Sequence, residues 1–390
     1  MRGALWVFTG SFVLCAYVYF GYPALIFVLS RLRPRPVRRA PVRPGVSLIV
    51  PVHNEEAVIE EKLRNSLALD YPRGRLETVV VSDGSTDATE EIVARYQGEG
   101  VRLLRLPRSG KAAALNAGVR EARGEILVFT DANSLLETHS VARLVECFAD
   151  PEVGGVCGNK KYRPARDGDA TEGGENLYWR YDKWQKSLES AFGSIFAADG
   201  TLYAVRKELY VPIADPAQAD DIAVSARIVL QGRRLLYEPG AVAWEDSPVE
   251  GAAEFRRKVR VTNHSVRALL NLGAPLVSTG FYSVELLSHK LLRHLMPFFL
   301  ILLLVANAVL APAHSSFRAL LVAQTLFYAA AVLGFAARRT RLGRTRLLSV
   351  PYYFCLVNAA ALLGVLSIVK GRRLGAWTPR HGLDIPKENR

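Results

Sequence analysis

Apolar residues fall along this chain in two different rhythms. Residues 5–29 run almost without a charge, longer than the ~20 residues a helix needs to cross a bilayer. Three more such runs lie near the C-terminus, at 295–311, 319–336 and 347–369, the first two joined by Pro312-Ala313-His314-Ser315-Ser316. Between them the rhythm shortens. Strands are predicted over 46–51, 77–82, 101–106 and 126–130, and helices over 55–69, 86–96 and 111–122. Runs such as Thr78-Val79-Val80-Val81 are continuously apolar, as in parallel strands covered on both faces. The alternation predicts a doubly wound α/β domain with a mostly parallel sheet, joined to transmembrane helices. Ligands of such sheets bind at the carboxyl ends of the strands.

These rhythms divide the chain into an N-terminal transmembrane helix (1–31), a basic Pro/Arg linker (32–45) and an α/β domain (46–264). Interfacial helices (265–293), a C-terminal region of about three apolar segments (294–370) and a polar tail (371–390) follow. Helices at the interface are expected because His289, Lys290 and Arg293 interrupt the apolar residues there.

Charge sharpens this picture. Half of the 390 residues are hydrophobic, yet the formal net charge is +13. The arginines cluster beside the apolar runs rather than on an aromatic-bearing surface, which points to a membrane rim and away from nucleic acid. The first run is too long for a signal-peptide core, and no small-residue cleavage site is followed by a polar start. It ends in Arg31, Arg33, Arg35, Arg38, Arg39 and Arg43, which places the N-terminus outside and the following domain in the cytoplasm. Proline keeps that linker extended, spacing the domain from the lipid headgroups. Arg338, Arg339, Arg341, Arg344 and Arg346 mark a later return to the cytoplasm. The last run is followed by Lys370, Arg372 and Arg373, so a plain crossing runs against the positive-inside rule, and a re-entrant hairpin is the alternative. The plain crossing is the preferred reading. Cys15 and Cys355 lie in apolar runs, and Cys147 and Cys157 lack metal-ligand spacing, so all four read as reduced or buried thiols.

The predicted strand ends carry the polar residues. The first ends in Pro51-Val52-His53-Asn54-Glu55, the second in Ser82-Asp83-Gly84-Ser85-Thr86-Asp87. The third connection holds Arg108-Ser109-Gly110-Lys111 ahead of Asn116, and the fourth strand ends in Thr130-Asp131-Ala132-Asn133-Ser134. Carboxylates gathered there can read a base and ribose or hold a divalent cation, and Lys111 can meet a phosphate as a point charge. Each string alone also reads as a turn or a helix cap. Four polar strand ends in register are harder to explain that way. No G-x-G-x-x-G follows the first strand, and no G-x-x-x-x-G-K-[ST] is present.

Those strings resemble the family 2 glycosyltransferases of the GT-A fold, in the membrane-integrated branch containing hyaluronan, cellulose and poly-N-acetylglucosamine synthases. The resemblance runs over about 46–292, and Val80-Val81-Ser82-Asp83-Gly84-Ser85-Thr86-Asp87 is its most specific string. It implies a nucleotide-sugar site formed by Pro51, Asn54, Glu55, Asp83, Lys111 and Asp131, with Asp83 on the base and Lys111 at the nucleotide. Asp131-Ala132-Asn133 stands where the family has its metal-binding DxD, so the resemblance implies Mg²⁺ or Mn²⁺ on Asp131 and Asn133. An amide oxygen still ligates such a cation but neutralises less charge.

Ala198-Asp199-Gly200-Thr201 resembles the family's acceptor-side segment, making Asp199 and Gly200 acceptor-site candidates with Asp220 and Arg257. Ala219-Asp220-Asp221 matches the family's acidic pair, whose second member is the general base; Asp221 takes that role, with Asp220 the runner-up. The family's Gln-x-x-Arg-Trp motif falls on Arg257-Lys258-Val259-Arg260-Val261. Arg260 fits as a diphosphate clamp, while Arg257 and Val261 replace the glutamine and the tryptophan. Tyr178, Trp179, Tyr181 and Trp184 either stack on sugars or pack and anchor at the interface.

The resemblance implies an inverting transfer from a nucleotide-sugar, foremost a UDP-sugar, to a glycan or lipid-linked acceptor. The setting is a bacterial-type inner membrane and the synthesis of exopolysaccharide or cell-surface glycan. One alternative is a single-addition enzyme with a lipid acceptor, favoured by the missing tryptophan. Another is a nucleotide-sensing scaffold or transporter without catalysis, against which the full set of polar strand ends argues.

Overall fold

The computed structural model describes residues 1–163, 171–215, 219–246 and 251–372. They fall into two compact units, one comprising Met1–Arg33, Pro164–Leu188 and Pro248–Leu374, the other Pro34–Arg163 and Glu189–Ser247. The stretch expected as one domain over 46–264 is therefore divided. Most of helix Thr171–Phe192, and helix Gly251–Leu270, belong with the apolar helices.

The α/β unit is built on one eight-stranded sheet. Its strands are β1 (Val46–Val52), β2 (Leu76–Asp83), β3 (Val101–Leu106), β4 (Ile126–Thr130), β5 (Leu135–Leu136), β6 (Val153–Arg163), β7 (Leu202–Arg206) and β8 (Arg234–Asp246). They lie in the order β3-β2-β1-β4-β7-β6-β8-β5. The first four are parallel; β7 is antiparallel to β4 and β6, and β8 is parallel to β6. β1 is buried along its whole length because both faces are covered. Leu48, Val50 and Val52 face a cluster with Ile59, Leu63 and Val141, while Ile49 points to the opposite cluster with Leu115 and Phe129. Helices Ile59–Leu67 and Thr89–Ala94 both start later than their periodicity predicts. The residues ahead of each bind the neighbouring strand end instead.

The basic linker is extended but not a free spacer. Arg35 donates its N–H to the Ala191 carbonyl at 2.8 Å and pairs with Glu152 at 2.8 Å, and Arg39 pairs with Glu238. Arg234 donates to the Arg35 carbonyl at 2.9 Å. Arg35 and Arg39, read from the sequence as part of a basic membrane rim, thus pin the linker to the α/β unit.

In the helical unit, Arg2–Leu32, Phe281–Leu310, Ser315–Ala336 and Arg346–Val369 are long and apolar enough to cross a membrane. Each contains one of the four apolar runs. Trp6, Phe20, Val305, Leu326, Val332 and Leu363 are exposed along them, a surface that only an apolar medium stabilises. The second helix continues through a π-helical stretch, Leu286–Leu291, so His289, Lys290 and Arg293 lie on the same helix as the span. The buried carboxylate of Asp182 meets Lys186 at 3.3 Å, His289 at 3.4 Å and Arg293 at 3.5 Å. Such pairing is what an ionised group in an apolar helical setting requires. Gly364 lets helix Arg346–Val369 approach helix Gly251–Leu270: a Cβ there would sit 2.6 Å from Thr262 Cβ. Most of the expected polar tail, 373–390, lies outside the described residues.

Candidate functional site

The ends of β1 and β2 are laced to each other. Asn54 takes a left-handed backbone (φ 54°), which asparagine tolerates better than most residues. From there Asn54 N–H donates to Ser85 Oγ at 3.1 Å, and its Oδ1 accepts from Thr86 N–H at 2.7 Å. Glu55 N–H donates to Thr89 Oγ1 at 2.8 Å, and Glu56 exchanges bonds with Asp87 and Ala88. Asn54 and Glu55 therefore frame the strand ends, while Pro51 lies within β1 opposite Val81 of β2.

Asp83 is fully buried. Its Oδ1 accepts from Ser109 N–H at 2.6 Å and Gly110 N–H at 2.9 Å, and its Oδ2 from the Arg108 guanidinium. The carboxylate thus folds the loop that precedes Lys111. Gly84 (φ 66°) is required beside it, since a Cβ there would meet Arg108 N at 2.8 Å.

Lys111 opens helix Lys111–Glu121 and reaches across the strand ends. Its Nζ lies 3.0 Å from Asp131 Oδ1 and 3.3 Å from Asp220 Oδ2. Asp220 and Asp221 occupy the first turn of helix Asp220–Leu230, and Asp221 Oδ1 accepts from Ile222 N–H at 2.8 Å. A Cβ on Gly200 would lie 3.7 Å from Lys111 Nζ and 4.0 Å from Asp221 Oδ2. One ammonium therefore stands among three carboxylates. Burial lowers the proton affinity of Lys111, but Asp131, Asp220 and Asp221 outweigh it and hold the lysine above its ordinary value. These four side chains together carry a formal net negative charge.

Asp199 turns back into its own loop, accepting from Thr201 N–H at 3.1 Å and Thr201 Oγ1 at 2.8 Å. Asn116 is a brace: its Oδ1 accepts from Tyr210 Oη at 2.8 Å and Ile213 N–H at 3.0 Å. Arg257 and Arg260 stand in the helical unit, on helix Gly251–Leu270. Arg257 forms a two-pronged bond to Glu254, both arms 2.7 Å. Among the aromatic candidates, Tyr178 and Trp179 lie under the Lys258 ammonium at 4.9 and 5.6 Å, and Arg293 covers Tyr178 and Tyr181 at 4.7 and 5.6 Å. Packing on cations accounts for these three, while Trp184 remains 43% exposed.

Residues 47–211 match the Glycosyl transferase family 2 model. The chain carries a family 2 glycosyltransferase domain. "Probable glycosyltransferase YdaM" of Bacillus subtilis (strain 168) is 30% identical over 235 residues, 56% of this chain and 54% of that protein. Poly-beta-1,6-N-acetyl-D-glucosamine synthase of Staphylococcus aureus (strain COL) is 27% identical over 225 residues, 55% of this chain and 53% of that protein. The chain thus spans about half the length of the curated relatives it matches. Among solved structures, the mannosyltransferase PcManGT from Pyrobaculum calidifontis, in complex with GDP-Man and Mn²⁺, is 28% identical with a TM-score of 0.69. That match covers 94% of this chain and 99% of the other. The mixed sheet and its neighbours are those of the GT-A fold.

Within the glycosyltransferase domain, the donor set fits a divalent cation that arrives with a nucleotide. Asp131 Oδ1 is buried and receives no well-aligned hydrogen bond; the Lys111 ammonium meets its charge. Among the described residues, no three His, Cys, Asp or Glu side chains could hold a metal by themselves. Mg²⁺ is usually held by one or two carboxylates completed by substrate phosphates and water, and Asp131 supplies one such carboxylate. A cleft lined by Arg43, Arg75, Arg206 and Lys207 lies by the starts of β1 and β4, at the opposite end of the parallel strands, and holds none of these residues.

The sequence reading missed a buried polar layer beneath the strand ends. Lys62 donates to Thr130 Oγ1 at 3.0 Å and to the Ser134 carbonyl. Glu245 pairs with Lys160 at 2.7 Å and accepts from Ser134 Oγ at 2.9 Å and Thr201 Oγ1 at 3.0 Å. Nothing in the local sequence marks either lysine, because only the tertiary fold covers them.

Proposed function

We propose that the protein is an inverting, metal-dependent glycosyltransferase that moves a sugar from a nucleoside-diphosphate sugar to a glycan or lipid-linked acceptor at a membrane. The observation that carries this is the ammonium of Lys111 set between Asp131 and Asp220, beside Asp221, at the carboxyl ends of the parallel strands. A diphosphate entering a net negative cluster is repelled unless a cation comes with it. Asp131 and Asn133 would hold Mg²⁺ or Mn²⁺, which when bound supplies charge stabilisation to the departing diphosphate. Lys111 adds a positive charge at the phosphates, and Arg260 serves as a second clamp.

Asp221 is the proposed base. Its carboxylate takes the proton of the acceptor hydroxyl as that oxygen bonds to the anomeric carbon; the carbon–phosphate oxygen bond breaks and its electron pair leaves on the diphosphate. Asp83 serves the nucleotide through the Arg108–Gly110 loop that it folds, framed by Pro51, Asn54 and Glu55. Asp199, Gly200 and Asp220 of the α/β unit are the proposed acceptor-side residues, and Arg257 of the helical unit is a further candidate. The glycosyltransferase domain faces the cytoplasm of a bacterial-type inner membrane, and the product belongs to exopolysaccharide or cell-surface glycan.

One relative is a poly-beta-1,6-N-acetyl-D-glucosamine synthase and a solved relative is a mannosyltransferase in complex with GDP-Man, so N-acetylglucosamine and mannose donors both belong in the test. A single-addition enzyme acting on a lipid acceptor is the second reading, favoured by Val261 in place of the family's tryptophan.

The test is a nucleotide-sugar panel on the purified full chain in detergent, with Mn²⁺ or EDTA and with product sizing. Absence of both transfer and hydrolysis with every donor would sink the enzyme reading. Asp221→Asn should abolish transfer and spare donor binding; a fully active variant removes Asp221 from the mechanism.

A further inference from the structure

Lys62 is completely buried, on helix Ile59–Leu67, whose Ile59 and Leu63 fill the core. An ammonium so placed is costly, and an apolar side chain of the same length would fill the space without that cost. Burial pushes Lys62 down to about 7, against the opposing pull of Asp131 and Glu245. Its bonds go to Thr130 Oγ1 at 3.0 Å and to the Ser134 carbonyl. Those residues immediately precede Asp131 and follow Asn133. One amino group therefore fastens both ends of the Asp131-Ala132-Asn133 turn from behind. A bond from Ser134 N–H to the Asp131 carbonyl at 3.2 Å closes the turn on itself, and Ser134 Oγ is held by Glu245.

We propose that Lys62 is a positioning residue of this turn: by bridging Thr130 and Ser134 it holds the Asp131 carboxylate and Asn133 amide ready for a divalent cation borne by a nucleoside diphosphate. The inference rests on the metal reading of Asp131 and Asn133 given above. A lysine that only packed the core would leave metal affinity alone once the fold was intact.

The test measures Mn²⁺ binding by the loss of the free-ion electron paramagnetic resonance signal, on the full chain in detergent with UDP or GDP present. Lys62→Met keeps the length of the side chain and removes its charge. It should weaken Mn²⁺ by roughly 10- to 100-fold, the range typical of groups that orient metal ligands. Leu63→Val, on the same helix, should lower the melting temperature and leave Mn²⁺ affinity unchanged. Wild-type affinity in Lys62→Met, or an equal loss in Leu63→Val, overturns the proposal. Should Lys62→Met not accumulate, Thr130→Val must weaken Mn²⁺ severalfold, and an unchanged affinity there overturns it too. A wild-type chain that binds no Mn²⁺, or an Asp131→Asn variant that binds it normally, overturns the metal reading and this proposal with it.

Discussion

Replacing Asp83 with asparagine removes one acceptor oxygen from a fully buried group that receives two backbone N–H bonds and a guanidinium. The new amide must point its NH₂ at Arg108 and Gly110, or at Ser109 and Gly110, and each orientation sets donor against donor. The Arg108 side chain is 36% exposed, so its charge can turn to water and little is lost on that arm. The backbone donors have no such escape. A buried donor left unsatisfied costs about 1–3 kcal/mol. A value of about 2 kcal/mol raises the opening constant of the Arg108–Gly110 loop roughly 30-fold.

Hydrogen exchange followed by mass spectrometry, on peptides covering 107–112, reads that opening directly. Asp83→Asn should speed exchange there by roughly that factor, and Arg108→Ala should speed it far less. Exchange unchanged in Asp83→Asn would show that the carboxylate does not hold the loop. An Arg108→Ala effect as large as that of Asp83→Asn would place the energy in the ion pair and refute the ranking. Because Lys111 follows Gly110, the same variant should also weaken donor binding.

Lys111→Met leaves Asp131, Asp220 and Asp221 facing one another, so it should melt several degrees lower than wild type. Added Mn²⁺ should restore part of the loss, and a thermal-shift assay without such rescue refutes the net negative centre. Burial works to raise the carboxyl of Glu77, but Ser47, the Arg123 N–H and Arg102 win and hold it below its ordinary 4.5. Its contribution is therefore complete above the unfolded value and lost as pH falls through the folded one. Glu77→Gln should flatten the acid side of the melting curve. Gly364→Ala places a methyl against Thr262 and the Val259 carbonyl, the latter 2.9 Å away, and should destabilise the helical unit by about 1–3 kcal/mol. Melting in detergent checks it. If all four apolar helices cross the bilayer, single cysteines in the loops at 312–314 and 340–344 label from opposite sides with an impermeant maleimide; labelling from one side refutes the crossing of Ser315–Ala336.

In the parallel half of the sheet, β1 and β4 were legible because they are buried along their whole length and read as nearly continuous apolar runs. The other half was not. β6, Val153-Gly154-Gly155-Val156-Cys157-Gly158-Asn159-Lys160-Lys161-Tyr162-Arg163, mixes glycines with polar residues, and the burial of its first eight positions comes from β7, β8 and overlying side chains far along the chain. The division into two units was hidden for the same reason: helix Thr171–Phe192 looks like any amphipathic helix until its long-range partners are known.

The site shows where a sequence motif stops carrying information. Asp83, Lys111, Asp131, Asp220 and Asp221 could be picked out because a parallel sheet presents whatever follows its strands. Their partners could not. Asp83 reads as a carboxylate at a strand end, and nothing local shows that both its oxygens accept from the loop after β3. Lys62, in Ile59-Glu60-Glu61-Lys62-Leu63-Arg64, reads as one charge on a solvated helix face. Glu60 and Arg64 do form such an exposed pair at 2.7 Å, while Lys62 turns inward. Helical periodicity places Lys62 next to the apolar stripe of Ile59 and Leu63, but it cannot say that the stripe ends beneath Thr130 and Ser134. That fact belongs to the pairing of β1 with β4, which sets the end of β4 beside the strand that leads into this helix. An identical hexapeptide over a different strand order would leave the lysine in water, so the motif acquires its role only from the sheet.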